Sequence, residues 1–119
     1  MAPGQDAREA TVSRYLLIES RDPFGSTAFE RRCELAAALR ADGADVTLFL
    51  VENAVLGARA QARLPALGKL AKQGVELLAD EFALRERGIA GGDVAPAVRP
   101  AGLDTLAGLL AGGARATWN

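Results

Sequence analysis

The chain has 119 residues, 50% of them apolar and 24% charged, and its 14 basic and 15 acidic residues leave a net charge of −1. That balance excludes the basic footprint of a nucleic-acid binder, and no apolar run approaches the roughly 20 residues of a membrane span. Histidine is absent and Cys33 is the single cysteine, which rules out an intramolecular disulfide and a Ser-His-Asp triad. Too few of the usual ligands remain for a zinc or redox-metal site. The expectation is one cytoplasmic domain without a cofactor.

Residues 1–13 (MAPGQDAREATVS) lack the apolar central region of a secretory signal and read as a mobile lead-in to a folded unit over 14–119. RYLLIES over 14–20 is a compact apolar run bounded by RDPFGS, and it predicts a buried strand. STAFERRCELAAALRAD over 26–42 sets Phe29, Cys33, Ala36 and Leu39 at helical spacing. Ser26 or Thr27 can cap that helix and Gly43 can close it. FERRCE and, further on, ALRERG mix acids with arginines, which predicts solvated helix faces rather than a basic surface.

DVTLFLVE over 45–52 is β-branched and apolar, as in a central strand. Residues 53–61 read as a loop or partial turn, and 65–73 as a helix with Pro65 in its first turn and Gly74 beyond its end. VELLA over 75–79 is a third strand, followed by a short helix over 81–87 that Gly88 ends. A Gly/Pro-rich connection covers 88–102. Its Ile89, Val94 and Val98 follow no core period and are expected to cover a neighbouring subunit or an exposed patch. LDTLAGLLAGG over 103–113 is a last amphipathic helix with Leu103, Leu106 and Leu110 as its apolar stripe, and RATWN over 115–119 offers a final strand.

Strand and helix alternate throughout, the pattern of a small three-layer α/β/α sandwich on a mostly parallel sheet. Ligand sites in such sheets lie at the carboxyl ends of the strands, here RDPFGST, ENAVLG and ADEF. DPFGST has a single glycine and no Gly-Lys-Ser/Thr, so it is a tight turn with a cap rather than a nucleotide loop. For an anion, Gly25, Ser26 and Thr27 are the donors it offers, and Phe24 would wall the pocket or pack against a neighbouring subunit.

Those three loops, in that order, resemble the DsrE/DsrF-like family, which includes the TusB, TusC and TusD sulfur-relay subunits. The DPFGST loop opens a long helix, and ADG leads from that helix into DVTLFLVE and the step NAV. The third strand follows Gly74-Val75, and a short helix ends in Arg87-Gly88-Ile89. The resemblance runs from Tyr15 to the end of the chain. It implies a DsrE-like sandwich of flavodoxin-like topology and a place in sulfur relay. It also implies assembly: a homo-oligomer (dimer, trimer or hexamer), or a hetero-oligomer with a cysteine-bearing relative, and contact with a sulfur-carrier protein.

In the sulfur-carrying members a cysteine begins that short helix, eight positions before its closing glycine; here Asp80 stands eight positions before Gly88. A thiol at a helix start is held near free backbone N–H groups and the positive end of the helix dipole, which favour thiolate and persulfide. A carboxylate caps the helix equally well, so Asp80 reads first as an N-cap, at the mouth of the expected pocket. It cannot take up and pass on a sulfane sulfur. Cys33 lies mid-helix on the core face and reads as a small hydrophobe, not a carrier.

The pocket candidates are therefore Phe24, Gly25, Ser26, Thr27, Asn53, Asp80 and Arg87. The leading reading is a sulfur-relay-type protein without the carrier cysteine, a partner or scaffold subunit rather than a catalyst. The alternative is a small-ligand or anion-binding module using the same pocket. An enzyme with Asp80 as general base ranks last, because no second catalytic group is evident.

Overall fold

The computed structural model describes residues 12–119. Its centre is a sheet of five parallel strands: β1 (Arg14–Glu19), β2 (Asp45–Leu50), β3 (Glu76–Asp80), β4 (Arg99–Ala101) and β5 (Arg115–Trp118). The helices are α1 (Ala28–Ala41), α2 (Pro65–Lys72), α3 (Glu81–Glu86) and α4 (Leu103–Ala111), with 3-10 segments over Glu52–Ala58, Ala60–Ala62 and Gly91–Asp93. Residues 1–11 of the expected lead-in lie outside the described residues. Ser13 already accepts a hydrogen bond from the Asp45 N–H at 2.8 Å.

Across the sheet the strands run β4-β3-β2-β1-β5. The chain winds in one direction from β1 to β4, and β5 then returns to the far side of β1. The reversal therefore falls between β1 and β5, where the flavodoxin order 2-1-3-4-5 places it between β1 and β3.

Side chains alternate between the two faces, as the pleat requires. Leu17, Val46, Leu48, Leu50, Leu77 and Ala79 meet Phe29, Cys33 and Ala36 of α1, Leu67 and Leu70 of α2, and Ala83 and Leu84 of α3. Leu16, Ile18, Phe49, Val51, Leu78 and Ala101 form the opposite face, where α4 supplies Leu106 and Leu109. The second face is thinly covered, since no residue of α4 is fully buried. The expected stripe Leu103–Leu106–Leu110 needs correction: Leu103 is 71% and Leu110 45% exposed. At about 100° per residue, Leu106 and Leu109 straddle the contact line and the other two leucines fall on one flank.

The connection over 88–102 also departs from expectation. Ile89, Val94 and Val98 are buried in this chain's own core. The segment is drawn in because Ala95 N–H donates to Ala58 C=O at 2.8 Å and Val94 bridges Arg59. It then forms β4, a strand too short and proline-bearing to be read from sequence, tolerated at a sheet edge. Residues 52–58, read as a loop or partial turn from Asn53 onward, are a 3-10 segment whose Ala54, Val55, Gly57 and Ala58 are buried.

Candidate functional site

The predicted residues divide between two places on the carboxyl edge of the sheet. At the end of β3, Asp80 turns out of the strand in an extended conformation (φ −61°, ψ 118°), and its Oδ2 accepts the Ala83 N–H at 3.2 Å. That is the N-cap the sequence predicts. Its Oδ1 is buried and has no hydrogen-bond partner among the described residues. Arg87, at the far end of α3, donates from Nη1 to the Ala83 carbonyl at 3.2 Å. It also donates from Nε and Nη2 to Asn53 Oδ1 at 3.3 and 2.9 Å. Asn53, Asp80 and Arg87 are thus brought together around the peptide groups of Ala83, with the arginine acting as a brace between α3 and the segment after β2. Phe82 stands beside them, 58% exposed.

The group formed by Asn53, Asp80 and Arg87 contains no thiol, and Asp80 presents carboxylate oxygens to it. Cys33 is 6% exposed within the core. Burial, with the added repulsion of Glu19, Glu30 and Glu34, pushes its thiol up to about 12. Among the described residues no three His, Cys, Asp or Glu side chains gather to hold a metal ion.

Ser26 and Thr27 lie elsewhere, at the start of α1, beside the reversal between β1 and β5. Thr27 is the N-cap residue but makes no side-chain cap. Ser26 Oγ accepts the Ala28 N–H at 3.0 Å. The two residues line a cavity of about 460 Å³ together with Arg21, Arg31, Arg32 and Asn119. Phe24 and Gly25 are outside it: Phe24 is 56% exposed, with its N–H bonded to Asp22 Oδ1 at 2.9 Å.

Behind the cavity lies a polar group that sequence reasoning missed. Glu19, the last residue of β1, is fully buried. Its Oε2 accepts the Arg21 N–H at 2.8 Å and its Oε1 accepts Asn119 Nδ2 at 2.9 Å. Arg32 Nε stands 3.9 Å from the same Oε1, and Arg32 Nη1 donates to Thr117 Oγ1 at 2.6 Å. The mixed charges of FERRCE predict a solvated face; Arg32, with its side chain 10% exposed, instead turns inward because a buried carboxylate needs a counter-charge. The signal was present in LLIE, where a glutamate closes an apolar strand.

Winding, layers and a capped helix after β3 define a doubly wound, all-parallel α/β domain. The chain belongs to the DsrE/DsrF-like family, whose model matches residues 13–116. It is similar in structure to the ychN protein from E. coli, with a TM-score of 0.79 and 22% identity over 89% of this chain and 99% of that one. It is also similar to MTH1491 from Methanobacterium thermoautotrophicum, with a TM-score of 0.78 and 18% identity over 91% and 99% of the two chains. BT1422 from Bacteroides thetaiotaomicron gives 0.68 and 16% over 88% and 94%. MTH1491 and BT1422 are described as proteins of unknown function, and at these identities the likeness carries the fold. No curated protein matches the chain.

Proposed function

We propose that this chain is a sulfur-relay-type DsrE/DsrF-like subunit that does not itself carry sulfur, and that it acts in the cytoplasm as a partner or scaffold for a cysteine-bearing relative or a sulfur-carrier protein. One observation carries the reading: at the position where the family's carriers begin the short helix with a cysteine, Asp80 caps α3 through the Ala83 N–H. Sulfane transfer requires a thiolate to attack the outer sulfur of a persulfide, forming a new S–S bond as the donor thiolate leaves. A carboxylate cannot do this. The one thiol in the chain is buried and held protonated.

Incubation with a persulfide donor, followed by intact-mass measurement, tests the proposal. The native protein should gain no sulfur, while a cysteine-bearing DsrE-like protein treated in parallel does, and the two should co-purify when co-expressed. A persulfide on native Cys33 would overturn the non-carrier role.

A further inference from the structure

We propose that the crevice between the carboxyl ends of β1 and β5 binds a small molecule bearing a phosphate- or sulfate-type oxyanion. This rests on charge and geometry at that crevice and is independent of the sulfur-relay reading.

Three arginines, Arg21, Arg31 and Arg32, line one cavity of about 460 Å³. Among the described residues, only Arg32 of the three forms an ion pair. Glu19 is fully buried, and both its oxygens are engaged by the Arg21 N–H and by Asn119. Among these side chains, three positive charges against one carboxylate leave a net positive lining. Among the described residues the side chains of Arg21 and Arg31 make no hydrogen bond or ion pair, and none of Asp22, Glu30 and Glu34 lines the cavity. Like charges gathered around one space repel unless an anion enters it.

The donors suit a tetrahedral oxyanion. A guanidinium has five N–H groups in a planar fork, and Arg32 uses one in its hydrogen bond to Thr117. Its side chain is 10% exposed and fixed from behind by Glu19, so its remaining donors are positioned before any ligand arrives. The uncapped Thr27 hydroxyl adds another. Leu35 and Ala28 give the cavity an apolar wall, and its volume lies in the range of small-molecule sites, so an organic portion fits beside the anion. The location is the topological reversal of the sheet, where doubly wound domains take ligands.

The test is calorimetric titration with inorganic phosphate, inorganic sulfate and glycerol 3-phosphate at constant ionic strength, balanced with chloride. At least one should bind saturably with 1:1 stoichiometry. Arg21→Gln and Arg31→Gln, both at exposed positions and checked by thermal unfolding, should each weaken binding by about tenfold, and the double variant should abolish it. Arg32→Lys keeps the charge opposite Glu19 but loses the fork, and should also weaken binding. Tighter binding of glycerol 3-phosphate than of phosphate identifies an anion carried on an organic molecule, and equal binding identifies the free ion; either upholds the site. No saturable binding by any of the three, or binding that the double variant retains, overturns it.

Discussion

Asn119 Nδ2 donates a 2.9 Å hydrogen bond to Glu19 Oε1, joining residues 100 positions apart in the chain. The same asparagine donates its N–H to the Ile18 carbonyl and accepts on its carbonyl from the N–H and hydroxyl of Ser20, each at 2.8 Å. All four residues of β5 are exposed, so the strand has little burial to hold it on the sheet edge. Asn119→Ala removes a donor from a buried carboxylate and should lower stability by about 1–3 kcal/mol in urea denaturation. Hydrogen exchange should rise first at the β5 amides; a change spread evenly over the sheet would contradict the local role.

Arg31 and Arg32 are neighbours with opposite environments. Arg32 faces Glu19, and its loss leaves a buried carboxylate without its counter-charge, so Arg32→Leu should cost about 3 kcal/mol or more. Arg31 is exposed and unpaired among the described residues, and Arg31→Leu should stay within about 0.5 kcal/mol of the parent protein. Equal effects in denaturation would remove the structural distinction between them.

The thiol of Cys33, raised from an ordinary 9.0 to about 12 by burial first and by Glu19, Glu30 and Glu34 after it, makes stability depend on pH. Below pH 9 the thiol is protonated in both folded and unfolded chains, and its contribution is complete. As pH rises past 9 the unfolded chain loses this proton and the folded one keeps it. Stability then falls with a slope approaching about 1.4 kcal/mol per pH unit until the folded thiol titrates near 12. Cys33→Ala should lack this component, so the stability gap between the two proteins narrows between about pH 8 and pH 10. Native Cys33 should also resist maleimide and react once the chain is unfolded; fast native labelling would refute its burial.

Much of this architecture was legible because local signals agreed with the fold. The strands around Leu16, Leu48 and Leu78 are continuous apolar runs, and the α1 face of Phe29, Cys33 and Ala36 has clean helical spacing. The end of α2 was marked by Gly74, whose φ of +94° is a left-handed conformation that favours glycine. Asp80 as a helix cap was equally readable. What sequence did not yield depends on contacts between distant segments: β4 forms only because Ala79 of β3 is there to pair with Pro100, and Ile89 is drawn into a core that its own neighbours do not announce. The Glu19–Arg32–Asn119 group is of this kind. No local pattern links three residues that meet only when β5 returns beside β1.

Placing a cysteine at position 80 tests whether the start of α3 can support the chemistry of a sulfur carrier. In Asp80→Cys the Ala83 N–H, now 3.2 Å from Asp80 Oδ2, would face a thiolate and lower its pKa below that of an ordinary thiol. The new thiol should react with maleimide faster than Cys33, and it should accept sulfur from a persulfide donor. Loss of the carboxylate cap should cost about 1 kcal/mol, which Asp80→Asn should largely avoid. An introduced thiol that titrates normally and resists reagents would show that the start of α3 is a structural cap alone.

Assembly is the remaining expectation, and its physical basis lies on α4 and β5. Among the described residues one helix covers the second face of the sheet, through Leu106 and Leu109, while Leu103, Leu110 and Trp118 are 71%, 45% and 62% exposed. Large apolar side chains left this accessible are the reason to expect a contact surface here. Light scattering at micromolar concentration should therefore give a mass well above the 12.4 kDa of one chain, or a stable complex with a cysteine-bearing relative. Leu103→Glu with Leu110→Glu should shift the protein toward the monomer while leaving its circular dichroism unchanged, because neither side chain contributes to the core. A parent protein that stays monomeric and binds no such relative would leave the scaffold role without a surface to act through. The oxyanion site, which needs only one chain, would be unaffected.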